Sequence, residues 1–172
     1  SLHGPEECHN ALTRTNGFSQ TILGISNASK LEGLELVVNC VVTKQNMIRL
    51  NEVVDIVKPH QPGRLKFSFP EPIEGHDFVP NIVEASYFVK KAIDYGKLKG
   101  LNMGMDGFPL CCMKGYDSLS DNLATNSIVY MSECFERDFF STDCGDKVKL
   151  DMCKGCAETG SCGGFYRKYV EL

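Results

Sequence analysis

The residues best suited to chemistry are three cysteines in one short stretch, Cys153-Lys154-Gly155-Cys156-Ala157-Glu158-Thr159-Gly160-Ser161-Cys162. Two thiols in a Cys-x-x-Cys turn can aim at one centre, and the interleaved glycines let the backbone bend around it. Cys162 supplies a third sulfur six positions after Cys156. A tetrahedral metal or an iron–sulfur cluster usually takes a fourth. Its best source is Cys111 or Cys112 in Gly107-Phe108-Pro109-Leu110-Cys111-Cys112, with Cys144 and Cys134 in reserve. Adjacent cysteines rarely bind one centre together, so one of the pair is expected only to pack. The competing uses of such thiols are a disulfide knot and small buried hydrophobes. Zinc would make a closed structural site and a cluster a redox-capable one, and ligand type alone leaves both open.

Nine cysteines is an odd count, and seven of them follow residue 110. A secreted disulfide framework is more often even in number and spread through a shorter chain. The clustering therefore points to a metal site in a reducing cytoplasm. Asn27-Ala28-Ser29 fits a glycosylation acceptor, a triplet common by chance. Net charge is −4, which gives no electrostatic footprint for nucleic acid or an anionic membrane. Hydrophobic content of 42% and charged content of 23% suit an ordinary globular core, and no apolar run is long enough to span a bilayer. The chain starts Ser1-Leu2-His3-Gly4-Pro5 without a Met or a secretory signal, so it is expected to be processed or part of something longer.

The elements that must position these thiols read as alternating strands and helices over residues 1–106. Phe18, Ile22, Ile25 and Ala28 recur at helical spacing, with Ser19 as the expected N-cap. Residues 34–42 are β-branched and nearly continuous in apolar character, the pattern of a strand covered on both faces. Asn46 is expected to cap a helix carrying Leu50, Val53, Val54 and Val57, which Pro59 and Pro62-Gly63 end. Residues 65–69 form a second strand, 81–95 a helix with Ile82, Ala85, Val89 and Ile93 inward, and 101–105 a last strand. Strands beginning near 34, 64 and 101 have the βαβ period, which implies a parallel sheet.

Three such units make neither a barrel nor a doubly wound sheet. Ser1-Leu2 looks like the tail of a further strand, so a missing N-terminal half or a partner chain is expected to complete the sheet. From 107 to 164 glycine, proline, cysteine and polar residues dominate, as in a small subdomain stapled by metal. In it 126–131 reads as a strand, 133–151 as a charged segment with few large aliphatics and its part 133–140 as exposed connection, and after it 165–172 reads as a helix end or docking strand. Met103 and Met105 are expected to fill core. His3, His9, His60 and His76 show no ligand spacing and read as surface or loop residues.

In order and spacing these segments resemble the C-terminal half of a radical S-adenosylmethionine enzyme, of the kind that carries a SPASM- or twitch-type auxiliary-cluster extension. The resemblance covers nearly the whole chain. It rests on Ser-Leu-His-Gly-Pro at 1–5 with Leu12-Thr13-Arg14-Thr15 and Gly17-Phe18, and on Val38-Asn39-Cys40-Val41-Val42-Thr43-Lys44-Gln45-Asn46. Phe67-Ser68-Phe69-Pro70-Glu71-Pro72 with Gly75, Gly107 to Cys111, and Cys153, Cys156, Cys162-Gly163-Gly164-Phe165 with Tyr169 complete it. It implies an α/β fold: a partial (β/α) barrel of parallel strands with crossover helices over 1–106, then a cysteine-rich auxiliary-cluster subdomain over 107–172. Cys111 or Cys112 with Cys153, Cys156 and Cys162 would hold an auxiliary [4Fe–4S] cluster, and Cys144 would complete it or serve a second. Ser1, Asn39 and Ser68, at or near strand ends, would line the active end. Ser1 and Asn39 would face S-adenosylmethionine, while Glu71 and Arg14 read as solvated loop charges or substrate contacts. Peptide or protein substrates are typical of such extensions.

The family's Cys-x-x-x-Cys-x-x-Cys triad is absent from this sequence. S-adenosylmethionine is therefore expected as a cofactor only when the missing N-terminal half is joined to this one. The rival reading is a non-enzymatic binding module stabilised by zinc or a cluster.

Overall fold

The computed structural model describes residues 1–73, 77–121, 128–131, 139–142 and 146–171, with 128–131 and 139–142 described by backbone alone. Gly75, His76, Cys134 and Cys144, named above, lie outside the described residues.

The chain is a mixed α/β fold. Helices α1 (Glu6–Thr13) and α2 (Phe18–Ala28) precede strand β1 (Val37–Val41). Helix α3 (Leu50–Val57) leads to β2 (Arg64–Ser68), and α4 (Ile82–Leu98) leads to β3 (Met103–Asp106). The three strands form one sheet in the order β1-β2-β3, parallel throughout, with Val38 opposite Leu65 and Leu65 opposite Met103. Among the described residues this sheet does not close into a barrel. Downstream lie two antiparallel pairs, β4 (Ile128–Met131) with β5 (Phe139–Thr142), and β6 (Lys147–Val148) with β7 (Phe165–Tyr166). The short helix α5 (Arg167–Val170) follows.

The core forms where the apolar periods coincide. Val38 and Cys40, Leu65 and Phe67, and Met103 and Met105 are buried with Val53, Val54 and Val57 of α3 and Ala85, Val89, Ala92 and Ile93 of α4. Each large aliphatic or aromatic side chain so buried contributes about 1.5–3 kcal/mol. Helix α4 starts at a true cap, because Asn81 Oδ1 accepts from the backbone N–H groups of Val83 and Glu84. It runs to Leu98, one turn beyond the expected end, and stops where Gly100 takes φ +74°.

Several expectations are corrected. The first strand is half covered: Val38 and Cys40 are buried, while Val37 is 47% exposed and Asn39 and Val41 are partly open. Branched residues on both faces gave it a uniformly apolar look, but the described helices shield one face. Ser19 lies inside α2, whose N-cap is Gly17, and Asn10 Oδ1 accepts the free Phe18 N–H instead. Asn46 stands at the N-cap of the 3-10 turn Met47–Arg49 that runs into α3, but its side chain caps no helix N–H. Its amide closes a turn, Oδ1 accepting from Thr43 N–H at 2.7 Å and Nδ2 donating to the Val41 carbonyl at 2.8 Å and the His3 carbonyl at 3.0 Å. Helix α1 was not expected, because its polar sequence shows no apolar stripe. His9, read as a surface residue, is 3% exposed within it. The charged segment 133–151 contains β5 and β6, and β5 begins inside the expected connection 133–140.

Candidate functional site

The cysteine centre is assembled from both ends of the chain's second half. After β3, Gly107 turns the backbone at φ +77°, with its Cα so close to the Phe69 carbonyl that a Cβ would lie 2.6 Å from that oxygen. This sends Phe108 into the core and begins the 3-10 turn Leu110–Met113, which carries Cys111 and Cys112. The other cysteines follow β6. Cys153 lies in the 3-10 turn Asp151–Gly155, and Cys156 N–H bonds to the Cys153 carbonyl at 3.1 Å, which closes the Cys-x-x-Cys turn.

Aromatic contacts clamp this segment to the sheet. The Phe69 ring meets Phe108 and Tyr169 edge-on at 5.2 and 5.4 Å. Tyr169 Oη accepts from Ile82 N–H at 3.0 Å, one of the first-turn donors of α4, and Lys168 pairs with Glu71 at 2.9 Å.

Cys111, Cys153, Cys156 and Cys162 line one cavity of about 20 Å³ with Pro109, Thr159 and Phe165. Cys162 is the most buried of the four at 9% exposed. Its sulfur accepts from Leu110 N–H at 3.4 Å and Gly164 N–H at 3.3 Å. N–H donors of this kind orient a sulfur that serves as a ligand. Gly164 at φ +90° makes this possible, since a Cβ there would lie 2.5 Å from the Val148 carbonyl.

Cys112 packs against the core and is absent from the cavity wall; burial, then the adjoining Cys111, pushes its thiol up to about 12. The seven described cysteines, Cys8, Cys40, Cys111, Cys112, Cys153, Cys156 and Cys162, are all free thiols. Among the described residues no three cysteine, histidine or acidic groups are placed to hold one metal ion directly. The donor set around the cavity is all sulfur, with two N–H groups on Cys162.

No family model matches the chain, and neither a curated protein nor a solved structure does.

The three residues expected to line the active end are not all together. Asn39 is the middle residue of β1, and Ser68, the last of β2, donates to Asn39 Oδ1 at 2.7 Å. Ser1 is exposed and lies by Leu36, Val37 and Val38, at the start of β1. Residues 1–3 run beside that strand, with Leu2 N–H bonded to the Asn39 carbonyl at 2.9 Å and Val41 N–H bonded to His3 Nδ1 at 3.3 Å.

Sequence reasoning missed a charged group on the same sheet face. Lys66 Nζ lies 3.3 Å from Asp121 and 3.7 Å from Asp106, and Arg64 reaches Asp121 at 3.0 Å and the Leu119 carbonyl at 3.1 Å. The available signal was the alternation Arg64, Lys66, Ser68 against Leu65, Phe67. Among the described residues no helix is long and apolar enough to cross a membrane.

Proposed function

We propose that this chain is the auxiliary-centre part of a radical S-adenosylmethionine enzyme acting on a peptide or protein, with Cys111, Cys153, Cys156 and Cys162 holding a [4Fe–4S] cluster. The observation that carries the reading is the single cavity lined by these four thiols, drawn from two separate stretches of chain. When bound, such a cluster supplies a one-electron acceptor or an anchor for substrate. The chain's own part is to hold the thiolates. Leu110 and Gly164 N–H groups offset charge on Cys162, and Pro109 and Phe165 wall the cavity. Lys149, also at the wall, is tied by its Nζ to the Thr159 carbonyl.

The sheet adds support. Parallel sheets are ordinarily covered on both faces, and here the uncovered one carries Asn39, Arg64, Lys66, Ser68 and Asp106, the polar set a barrel interior would present. In this reading the (β/α) barrel is completed by an N-terminal half that brings the S-adenosylmethionine-cleaving cluster, and the enzyme is cytoplasmic. Zinc in a non-enzymatic binding module is the second reading. It is favoured by the cavity's volume of about 20 Å³, room for a body near the size of one water.

Iron, zinc and acid-labile sulfide per chain after anaerobic purification decide between them. About four irons and four sulfides are expected. About one zinc without sulfide would withdraw the redox role. Recovery of upstream coding sequence holding a Cys-x-x-x-Cys-x-x-Cys about one hundred residues before Ser1, the length of three βα units, would join the enzyme reading to this chain.

A further inference from the structure

Helix α4 buries Ile82, Ala85, Val89, Ala92 and Ile93 and turns its other side outward. That side is not uniformly polar. Val83 is 69% exposed, Tyr87 54% and Leu98 86%. At about 3.6 residues per turn, positions 83, 87, 94 and 98 fall on one stripe along the helix. By the same spacing Lys90 and Lys97 flank the stripe on one side and Lys91 on the other. Apolar side chains lined up between like charges are what one member of a packed helix pair presents, and the charges select the partner.

The cations on this face are unmatched. Lys90, Lys91 and Lys97 make no ion pair among the described residues. Their ammonium groups stand over tyrosine rings instead. Lys91 Nζ lies 4.5 Å from the centre of Tyr87, and Lys90 and Lys97 lie 5.8 and 5.4 Å from the centre of Tyr116. The two acids on the same side are engaged otherwise. Glu84 sits in the first turn, where the helix dipole favours it, and Asp94 accepts from Tyr116 Oη at 2.7 Å. In a chain of net charge −4 this face is a local reversal of sign. Helix α4 contains no arginine, the side chain whose fork matches phosphate, so protein carboxylates suit the face better than nucleic acid.

We infer that the outer face of α4 docks an acidic amphipathic helix of a partner protein, with that helix's apolar residues on Val83, Tyr87 and Leu98 and its carboxylates on Lys90, Lys91 and Lys97. The inference stands apart from the metal centre, so either can fail alone.

The test is fluorescence anisotropy of a labelled helical peptide matched to the 17 residues of α4, titrated with the full chain. The peptide carries Leu at alternating three- and four-residue spacing and Glu on both sides of that stripe; a second peptide has Gln in place of each Glu. Saturable binding of the Glu peptide at about ten micromolar is expected, weakened by added salt, with roughly tenfold weaker binding of the Gln peptide. The triple variant Lys90→Gln, Lys91→Gln, Lys97→Gln should lose about the same factor, and Leu98→Ser, at a position 86% exposed, should weaken binding while melting as wild type. Absence of saturation, equal affinity for the Gln peptide, or full affinity in the triple variant would overturn the inference. Tighter binding of oligothymidylate than of the Glu peptide would assign the face to nucleic acid and overturn it too. So would a dimer of the chain alone in sedimentation that the triple variant loses, since the occupant would then be a second copy. Should the triple variant fail to fold, Leu98→Ser and the Gln peptide carry the test.

Discussion

Cys162 and Cys112 show how two thiols of one chain are given different work. Cys162 sits among N–H donors at the cavity, whereas Cys112 has turned into the core. In the proposed centre, Cys162→Ser abolishes bound iron and sulfide, and so do serines at Cys111, Cys153 and Cys156. Cys112→Ala keeps the metal and loses about 1 kcal/mol of packing. Metal analysis and melting curves of the five variants check this, and loss of metal in Cys112→Ala would exchange the roles of the pair. His3 carries a pH prediction. Its folded pKa, about 4, lies below the ordinary 6.5 because of burial first. Between these values the unfolded chain binds more protons, so stability falls as pH drops from 6.5 towards 4 and is complete above 6.5. His3→Asn, whose Oδ1 can still accept from Val41, should flatten the fall in melting temperature over that window. An unchanged pH profile would show that another group governs it.

At the level of elements, the strands and long helix were legible because their signals are redundant. Helix α4 combines a capping Asn81, an apolar stripe at Ile82, Ala85, Val89 and Ile93, and Gly100 beyond its end. The parallel pairing followed from the spacing of three branched segments. Helix α1 was not legible, since its one buried residue is His9, held by Thr21 Oγ1 at 3.2 Å and His3 N–H at 3.3 Å rather than by an apolar face. Nor could the sequence say which of Cys111 and Cys112 turns to the cavity, because that depends on Gly107 and on the 3-10 turn after it. Two elements meet at the start of α4, where Asn81 and Tyr169 each satisfy first-turn N–H groups. Asn81→Ala should cost about 1 kcal/mol in denaturant unfolding. Tyr169→Phe should cost about 1 kcal/mol as well and, unlike Asn81→Ala, weaken metal retention, because Tyr169 also anchors the segment after Cys162. Equal metal retention in the two variants would separate the tyrosine from the site.

Across the whole molecule, stability is unevenly spread. The sheet and its helices share a continuous core, whereas residues 146–170 contribute to it chiefly through Phe165 and the partly buried Leu150, Cys153, Tyr166 and Tyr169. A segment with so little apolar burial has low local stability unless something else holds it. A group bound only by the folded state adds RT ln(1 + [L]/Kd), about 4 kcal/mol at a thousandfold excess over Kd. In the proposed protein that contribution belongs to the cysteine segment and hardly at all to the sheet. Removing the metal with a chelator should therefore speed hydrogen exchange at Cys153, Cys156 and Cys162, whose N–H groups bond within local turns, by orders of magnitude. The amides of β2, bonded on both sides by β1 and β3, should exchange at nearly their original rates. A uniform loss of protection across both regions would mean that metal and sheet form one cooperative unit. No change at the three cysteines would remove the thiols from metal binding altogether.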